Sequence, residues 1–139
     1  MSVEFFLDTN VLLYAATANP AERAKQDIAY DLIAAQNFGI STQVLQEFFH
    51  NATRKAGIKM RPAKALEWLD ELAHLPCLVV DAAVFRQAVG ISTRYKISYW
   101  DAAILAAAEA LGSTTLYSED LSHGQRYGPV RVVNPFLVG

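Results

Sequence analysis

The sequence predicts an α/β fold built on a parallel sheet, and two observations predict it. Short β-branched or aromatic runs alternate with longer segments of helical period, which is the pattern of βαβ units. Those short runs are apolar at successive positions rather than at every second one, as strands covered by helices on both faces must be. The 139 residues, 53% hydrophobic and 19% charged, suit one compact core without disulfide staples, so residues 1–139 are read as one domain.

Five strands are expected, at Val3–Leu7, Phe38–Ile40, Cys77–Val80, Thr114–Tyr117 and Val130–Val133. A short helix follows Asp8. Asn19 and Pro20 supply a cap and a first-turn proline, and Ala24, Ile28, Leu32 and Ala35 form the inner face of the next helix. Ser41 or Thr42 starts a helix that turns Val44, Leu45, Phe48 and Phe49 inward and stops near Gly57. Pro62 opens another with Leu66, Leu69 and Leu72 on its buried side. Asp81 caps a helix reaching Tyr95. Ser98 starts a last one, whose Ala102, Ala103, Ala106 and Ala107 allow close approach to a sheet before Gly112 ends it.

Composition narrows the function classes. No apolar run is long and uninterrupted enough to cross a bilayer, a single cysteine, Cys77, allows no internal disulfide, and no charged leader opens the chain. A soluble, cytoplasmic protein is expected. The formal net charge of −2 argues against a generally basic nucleic-acid binder, while residues 54–64 hold Arg54, Lys55, Lys59, Arg61 and Lys64 without one acid. That run is either an RNA-contacting patch or a solvated interhelical loop. Tyr14, Trp68, Tyr99 and Trp100 are capable of stacking on bases, but aromatics in this pattern usually fill cores, and none is given a role.

Four acids carry the chemistry. Asp8 and Asp120 each follow a predicted strand, in Phe6-Leu7-Asp8-Thr9-Asn10 and Leu116-Tyr117-Ser118-Glu119-Asp120, where parallel sheets bind their ligands. Each has a simpler alternative: Asp8 as a helix cap, Asp120 as a turn residue, with Glu119 beside it as a substitute ligand. Glu47 lies on a helical stripe with Gln43, Asn51 and Arg54 that also fits a solvated face, and Asp101 fits a capping-box variant after Ser98. Four carboxylates at one cleft would repel one another unless a cation neutralised them. Oxygen ligands select Mg²⁺ or Mn²⁺, and His50, His74, His123 and Cys77 show no zinc spacing.

These segments resemble the PIN domain family, in particular the VapC-like toxin ribonucleases of type II toxin–antitoxin modules. The resemblance rests on Phe6-Leu7-Asp8-Thr9-Asn10-Val11-Leu12, Ser41-Thr42-Gln43-Val44-Leu45-Gln46-Glu47-Phe48, Ile97-Ser98-Tyr99-Trp100-Asp101-Ala102-Ala103-Ile104, and Leu116-Tyr117-Ser118-Glu119-Asp120-Leu121 with Val133-Asn134-Pro135. It implies a PIN-like three-layer sandwich with a five-stranded parallel sheet in the order 3-2-1-4-5. It also implies a metal-dependent endoribonuclease whose Asp8, Glu47, Asp101 and Asp120 hold Mg²⁺ or Mn²⁺, with Asn10 and Ser118 supporting them. The resemblance ranks Asp120 above Glu119, and implies RNA as substrate, homodimers and an antitoxin protein as partner. Two rivals remain: a non-catalytic PIN-like interaction module, and a metal-dependent phosphatase using Asp8 as nucleophile. Such phosphatases usually place a second acid two residues later, where this chain has Asn10.

Overall fold

The computed structural model describes residues 3–137 and shows a three-layer α/β sandwich. Its strands are β1 (Phe5–Leu7), β2 (Phe38–Ser41), β3 (Cys77–Leu78), β4 (Thr115–Tyr117), β5 (Arg126–Tyr127) and β6 (Val130–Val133). Its helices are α1 (Thr9–Ala16), α2 (Arg23–Ala34), α3 (Thr42–Ala52), α4 (Pro62–Leu72), α5 (Ala82–Tyr95) and α6 (Tyr99–Ala110). A single 3-10 turn, Pro20–Glu22, leads into α2 with Asn19 accepting from the Ala21 N–H at 3.1 Å.

The sheet runs β3-β2-β1-β4-β6-β5, with every pairing parallel except β5 against β6. The expected order therefore holds, with one strand added at the edge. That strand escapes a sequence pattern because it is two residues long, with Arg126 exposed and Tyr127 buried. It folds back through Gly128, whose φ of +61° suits a residue without a side chain, and Pro129. β3 is also shorter than expected: Val79 is exposed, and the Val80 N–H goes to the Thr42 hydroxyl at 3.1 Å instead of to a neighbouring strand.

Phe6, Leu7, Phe38, Ile40, Leu116, Val130 and Val132 are fully buried, so the central strands meet helices on both faces, as their unbroken apolar runs require. α6 lies against β2, β4 and β6 and is buried without a break from Ala102 to Ala108. Its alanines let α5 approach, with Val84 and Ala88 meeting Ala102, Ala103 and Ala106. α1 contacts both α2 and α3, and α3 contacts α4, where the Phe48 ring stacks on Trp68 at 5.6 Å.

Helix boundaries follow their caps. Ser41 ends β2 and caps α3 by accepting from the Val44 N–H at 3.3 Å, so the strand passes into the helix without a loop. Asp81 caps α5 through Val84 at 3.0 Å and Ser98 caps α6 through Asp101 at 3.1 Å. Two expected inner faces need correction. Ala24 and Ala35 are exposed, because α2 turns Ile28, Ala29, Leu32 and Ile33 toward the core instead. Leu66 is 52% exposed: α4 meets α3 along Ala65, Trp68, Leu69 and Leu72, and Leu66 sits at the rim of that contact.

Two substitutions test this packing. Phe48→Ala should lower unfolding free energy by about 3–5 kcal/mol in urea titration, since it empties a fully buried, stacked site. Gly90→Ala, in the middle of α5 where an added Cβ meets nothing within 4 Å, should raise it by about 0.5–1 kcal/mol.

Candidate active site

The strand order reverses between β1 and β4, whose pairing ends at Leu7↔Tyr117. The next residues on each are Asp8 and Ser118. The Asp8 N–H continues the ladder to the Tyr117 carbonyl at 3.1 Å, and the Ser118 N–H bonds the Val133 carbonyl at 3.1 Å. Both side chains therefore project from the carboxyl ends of the strands into the crevice of an open parallel sheet.

Asp8 is only 4% exposed. One carboxylate oxygen, Oδ1, accepts from the Thr9 N–H at 2.7 Å and the other, Oδ2, accepts from the Ser118 hydroxyl at 2.8 Å. Its role as cap of α1 is real, and it accounts for one oxygen only. Burial pushes the Asp8 pKa up to about 7 from 3.8, the Ser118 and Thr9 hydrogen bonds oppose that rise, and repulsion from Asp120 and Glu47 adds to it. Among the described residues no basic side chain forms an ion pair with Asp8.

Asp101, in the first turn of α6, has its pKa raised by burial, held back by a hydrogen bond with the Ser98 side chain, and raised again by Asp120 and Glu47. Asp120 and Glu47 thus act electrostatically on both Asp8 and Asp101, although the four acids come from four separate segments. Among the described residues, no three His, Cys, Asp or Glu side chains stand close enough to enclose a single ion.

Polar neighbours fix Glu47 and the 118–120 turn. Thr9, itself buried, donates its hydroxyl to Glu47 Oε1 at 2.6 Å, and Gln43 Nε2 donates to Glu47 Oε2 at 3.2 Å and to the Trp100 carbonyl at 3.1 Å. Gln43 is 6% exposed, so the first turn of the stripe Gln43–Glu47 faces the crevice rather than solvent. Asn10 donates to the Ser118 hydroxyl at 3.4 Å and accepts from the Glu119 N–H at 3.2 Å, while the Asp120 N–H donates to Ser118 Oγ at 3.1 Å. Asn10 and Ser118 therefore join the first acid to the 118–120 turn.

Glu119 faces elsewhere. Its carboxylate accepts from the Tyr14 hydroxyl at 2.6 Å and from Lys25 Nζ at 2.6 Å. Burial would raise its pKa, but the Lys25 and Tyr14 hydrogen bonds and the charges of Lys25 and Lys55 bring it below the ordinary value. Thr9, Gln43, Tyr14 and Lys25 were not among the expected site residues. Gln43 stood four residues before Glu47 on one helical face, which was a usable signal; Tyr14 and Lys25 reach Glu119 across 105 and 94 residues, which no local pattern encodes.

The basic run 54–64 covers the α3–α4 connection and the first turn of α4, and all five cations are exposed. The connection is tied to the end of α1 by the Ala18 N–H to Gly57 carbonyl bond at 2.8 Å, and Lys55 Nζ stands 5.9 Å from the centre of the Tyr14 ring. Lys55 thus lies beside Glu119, while Lys64 pairs with Glu67 at 3.2 Å on the surface of α4. Trp68 belongs to the core, and Trp100 is 63% exposed next to Asp101.

A family model of the PIN domain matches residues 5–127. The chain belongs to the PIN domain family. Its fold is that of VapC20 from Mycobacterium tuberculosis, described as a sarcin–ricin-loop-cleaving toxin, at TM-score 0.68 and 24% identity over 84% of this chain and 90% of that one. A toxin–antitoxin complex from Klebsiella pneumoniae contains a chain of the same fold, with TM-score 0.71, 18% identity and coverage of 97% and 100%. DNA-bound VapBC from Salmonella typhimurium contains another, with TM-score 0.66, 18% identity and coverage of 94% and 96%. No curated protein matches the chain. Among the described residues no helix is long and apolar enough to cross a membrane.

The elevated pKa of Asp8 fixes the sign of a pH effect. The folded protein binds the Asp8 proton more tightly than the unfolded chain, so the stability linked to this group is fully present below pH 3.8 and is lost as pH rises through about 7. In chelator, Asp8→Asn should therefore melt roughly 5 °C or more above the parent at pH 8, with the gap closing toward pH 4. Equal melting curves at both pH values would show that Asp8 carries no such burden.

Proposed function

We propose that the protein is a metal-dependent endoribonuclease and the toxin of a toxin–antitoxin pair. The observation that carries this reading is the buried Asp8 carboxylate at the strand-order reversal, its pKa raised by burial and by the charges of Asp120 and Glu47. Membership of the PIN family and the fold shared with VapC and VapBC chains support it.

The donor set fits a hard dication. All four candidate ligands, Asp8, Glu47, Asp101 and Asp120, are carboxylates, and oxygen donors suit Mg²⁺ or Mn²⁺. No three of these side chains close on one ion among the described residues, and Mg²⁺ needs no such cage, since it keeps several waters and is usually held by one or two carboxylates together with substrate phosphate. Such an ion would lower the pKa of a bound water and offset charge on a scissile phosphodiester.

The chain's own residues do the positioning. Thr9 N–H and the Ser118 hydroxyl fix the Asp8 carboxylate plane, leaving its remaining lone pairs for a cation. Thr9 and Gln43 hold Glu47 by both oxygens, which suits a group that orients water or binds metal. Asp101 and Asp120 would complete the site directly or through water. Arg54, Lys55, Lys59, Arg61 and Lys64 would meet the RNA backbone outside the acids. A homodimer, an antitoxin covering the crevice and a cytoplasmic setting complete the proposal, with residues 1–139 as one domain.

The lack of a closed group of three acids among the described residues also suits a second reading, a PIN-like interaction module with residual acids. Calorimetry with Mn²⁺ separates the two, since the module binds none. For the nuclease, Asp8→Asn should keep its fold by circular dichroism and lose Mn²⁺-dependent RNA cleavage by more than about a hundredfold, beyond the 10–100-fold typical of outer partners of a metal site. Equal cleavage by parent and mutant would refute the assignment. Reversing Lys55 and Lys59 to Glu should weaken RNA binding and flatten its dependence on salt; binding with an unchanged salt slope would return the run to a solvated loop.

A further inference from the structure

Glu119 stands between two crevice residues, Ser118 and Asp120, yet its carboxylate is held outside by partners on two other elements. Tyr14 of α1 donates at 2.6 Å to Oε1 and Lys25 of α2 donates at 2.6 Å to Oε2. Lys25 also donates to the Tyr14 hydroxyl at 3.0 Å, and lies 4.7 Å from the centre of the Tyr14 ring and 5.7 Å from that of Phe136. The other end of residue 119 is fixed as well, because its N–H donates to Asn10 Oδ1 at 3.2 Å.

An isolated surface ion pair would contribute about 0–1 kcal/mol and mean little. This pair differs in three ways. Both side chains are more than half buried, at 39% and 29% exposure, each carboxylate oxygen has its own short donor, and the cation rests against two aromatic rings. The arrangement ties α1 and α2 to the turn that presents Ser118 to Asp8 and carries Asp120.

We propose that Lys25 and Tyr14 are positioning residues that keep Glu119 out of the acidic crevice and thereby fix Asp120 as the acid the turn supplies. The inference rests on the proposed metal-dependent site. Without the clamp, the crevice gains a fifth mobile carboxylate one residue from each of its neighbours. Such a group competes with Asp120 for the cation and repels the phosphate.

The test is a rescue. Lys25→Met should lower kcat for Mn²⁺-dependent RNA cleavage about tenfold with KM within about twofold of the parent, in the range set by outer partners of metal sites. Adding Glu119→Gln to that variant should return kcat to within about threefold of the parent, because the displaced carboxylate no longer binds metal. Lys25→Arg should keep most activity. Calorimetry with Mn²⁺ alone should show the same order, an altered affinity in Lys25→Met restored in the double variant. If KM rises equally in the single and double variants, Lys25 contacts RNA and the clamp is refuted. If neither affinity nor kcat moves, the pair has no role at the site. A loss of melting temperature that tracks the loss of kcat and is not rescued by Glu119→Gln assigns it to folding. Should the parent cleave no RNA, the nuclease reading fails, and the calorimetric series alone decides the clamp.

Discussion

One buried carboxylate constrains the rest of this structure. Asp8 sits where β1 stops and the sheet reverses its order, and the same geometry that makes the position a crevice also removes most of the water that would stabilise its charge. Two hydrogen bonds, from Thr9 and Ser118, only partly offset that loss, since its pKa still stands at about 7. Folding therefore places strain of an electrostatic kind at the centre of the molecule, and the neighbouring acids increase it. Replacing Asp8 by a neutral residue would relieve that strain, and a cation entering the crevice would relieve it equally.

The architecture supplies the tolerance for this. α6 is buried from Ala102 to Ala108 with α5 packed on it through Val84 and Ala88, so the helix that presents Asp101 is anchored along its length. α3 grows directly out of β2 through the Ser41 cap, which sets Gln43 and Glu47 at a fixed turn from the strand end. Acids that repel one another are thus carried on elements whose positions are decided elsewhere, by apolar burial of about 25 cal/mol per Å². The hydrogen bonds from Thr9 and Gln43 then choose rotamers rather than backbone.

Much of this was legible in the sequence, for identifiable reasons. Asp8 and Ser118 follow apolar runs that end abruptly, so both the strands and the crevice position could be read locally. Glu47 was ambiguous because a polar i, i+4 stripe looks the same whether it faces water or other polar groups; only the burial of Gln43 distinguishes them. Leu66 and Ala24 misled because an amphipathic stripe defines a helix face to within one side chain, and the neighbouring helix decides which edge of it is covered. β5 is too short for any period to show. Glu119 turns to Tyr14 and Lys25, partners distant in the chain, and that contact could not be read from composition or spacing.

The distribution of cations bears on how an acidic crevice could accept a polyanion at all. The protein carries a formal charge of −2, so its overall field does not attract RNA. At physiological salt, screening confines each charge to about 8 Å, and only cations bordering the crevice matter. Lys25 is held to Glu119 by a 2.6 Å bond, and Lys64 pairs with Glu67 farther along α4. Lys55 is exposed and stands 5.9 Å from the centre of the Tyr14 ring, on a connection tied to α1 through Gly57 that also exposes Arg54, Lys59 and Arg61. For a ribonuclease, this leaves attraction of phosphate to the 54–61 connection and neutralisation at the scissile bond to a bound dication. On the proposed reading the two tasks are separable, since mutation of the connection would change affinity and its salt dependence, whereas mutation of the acids would change turnover.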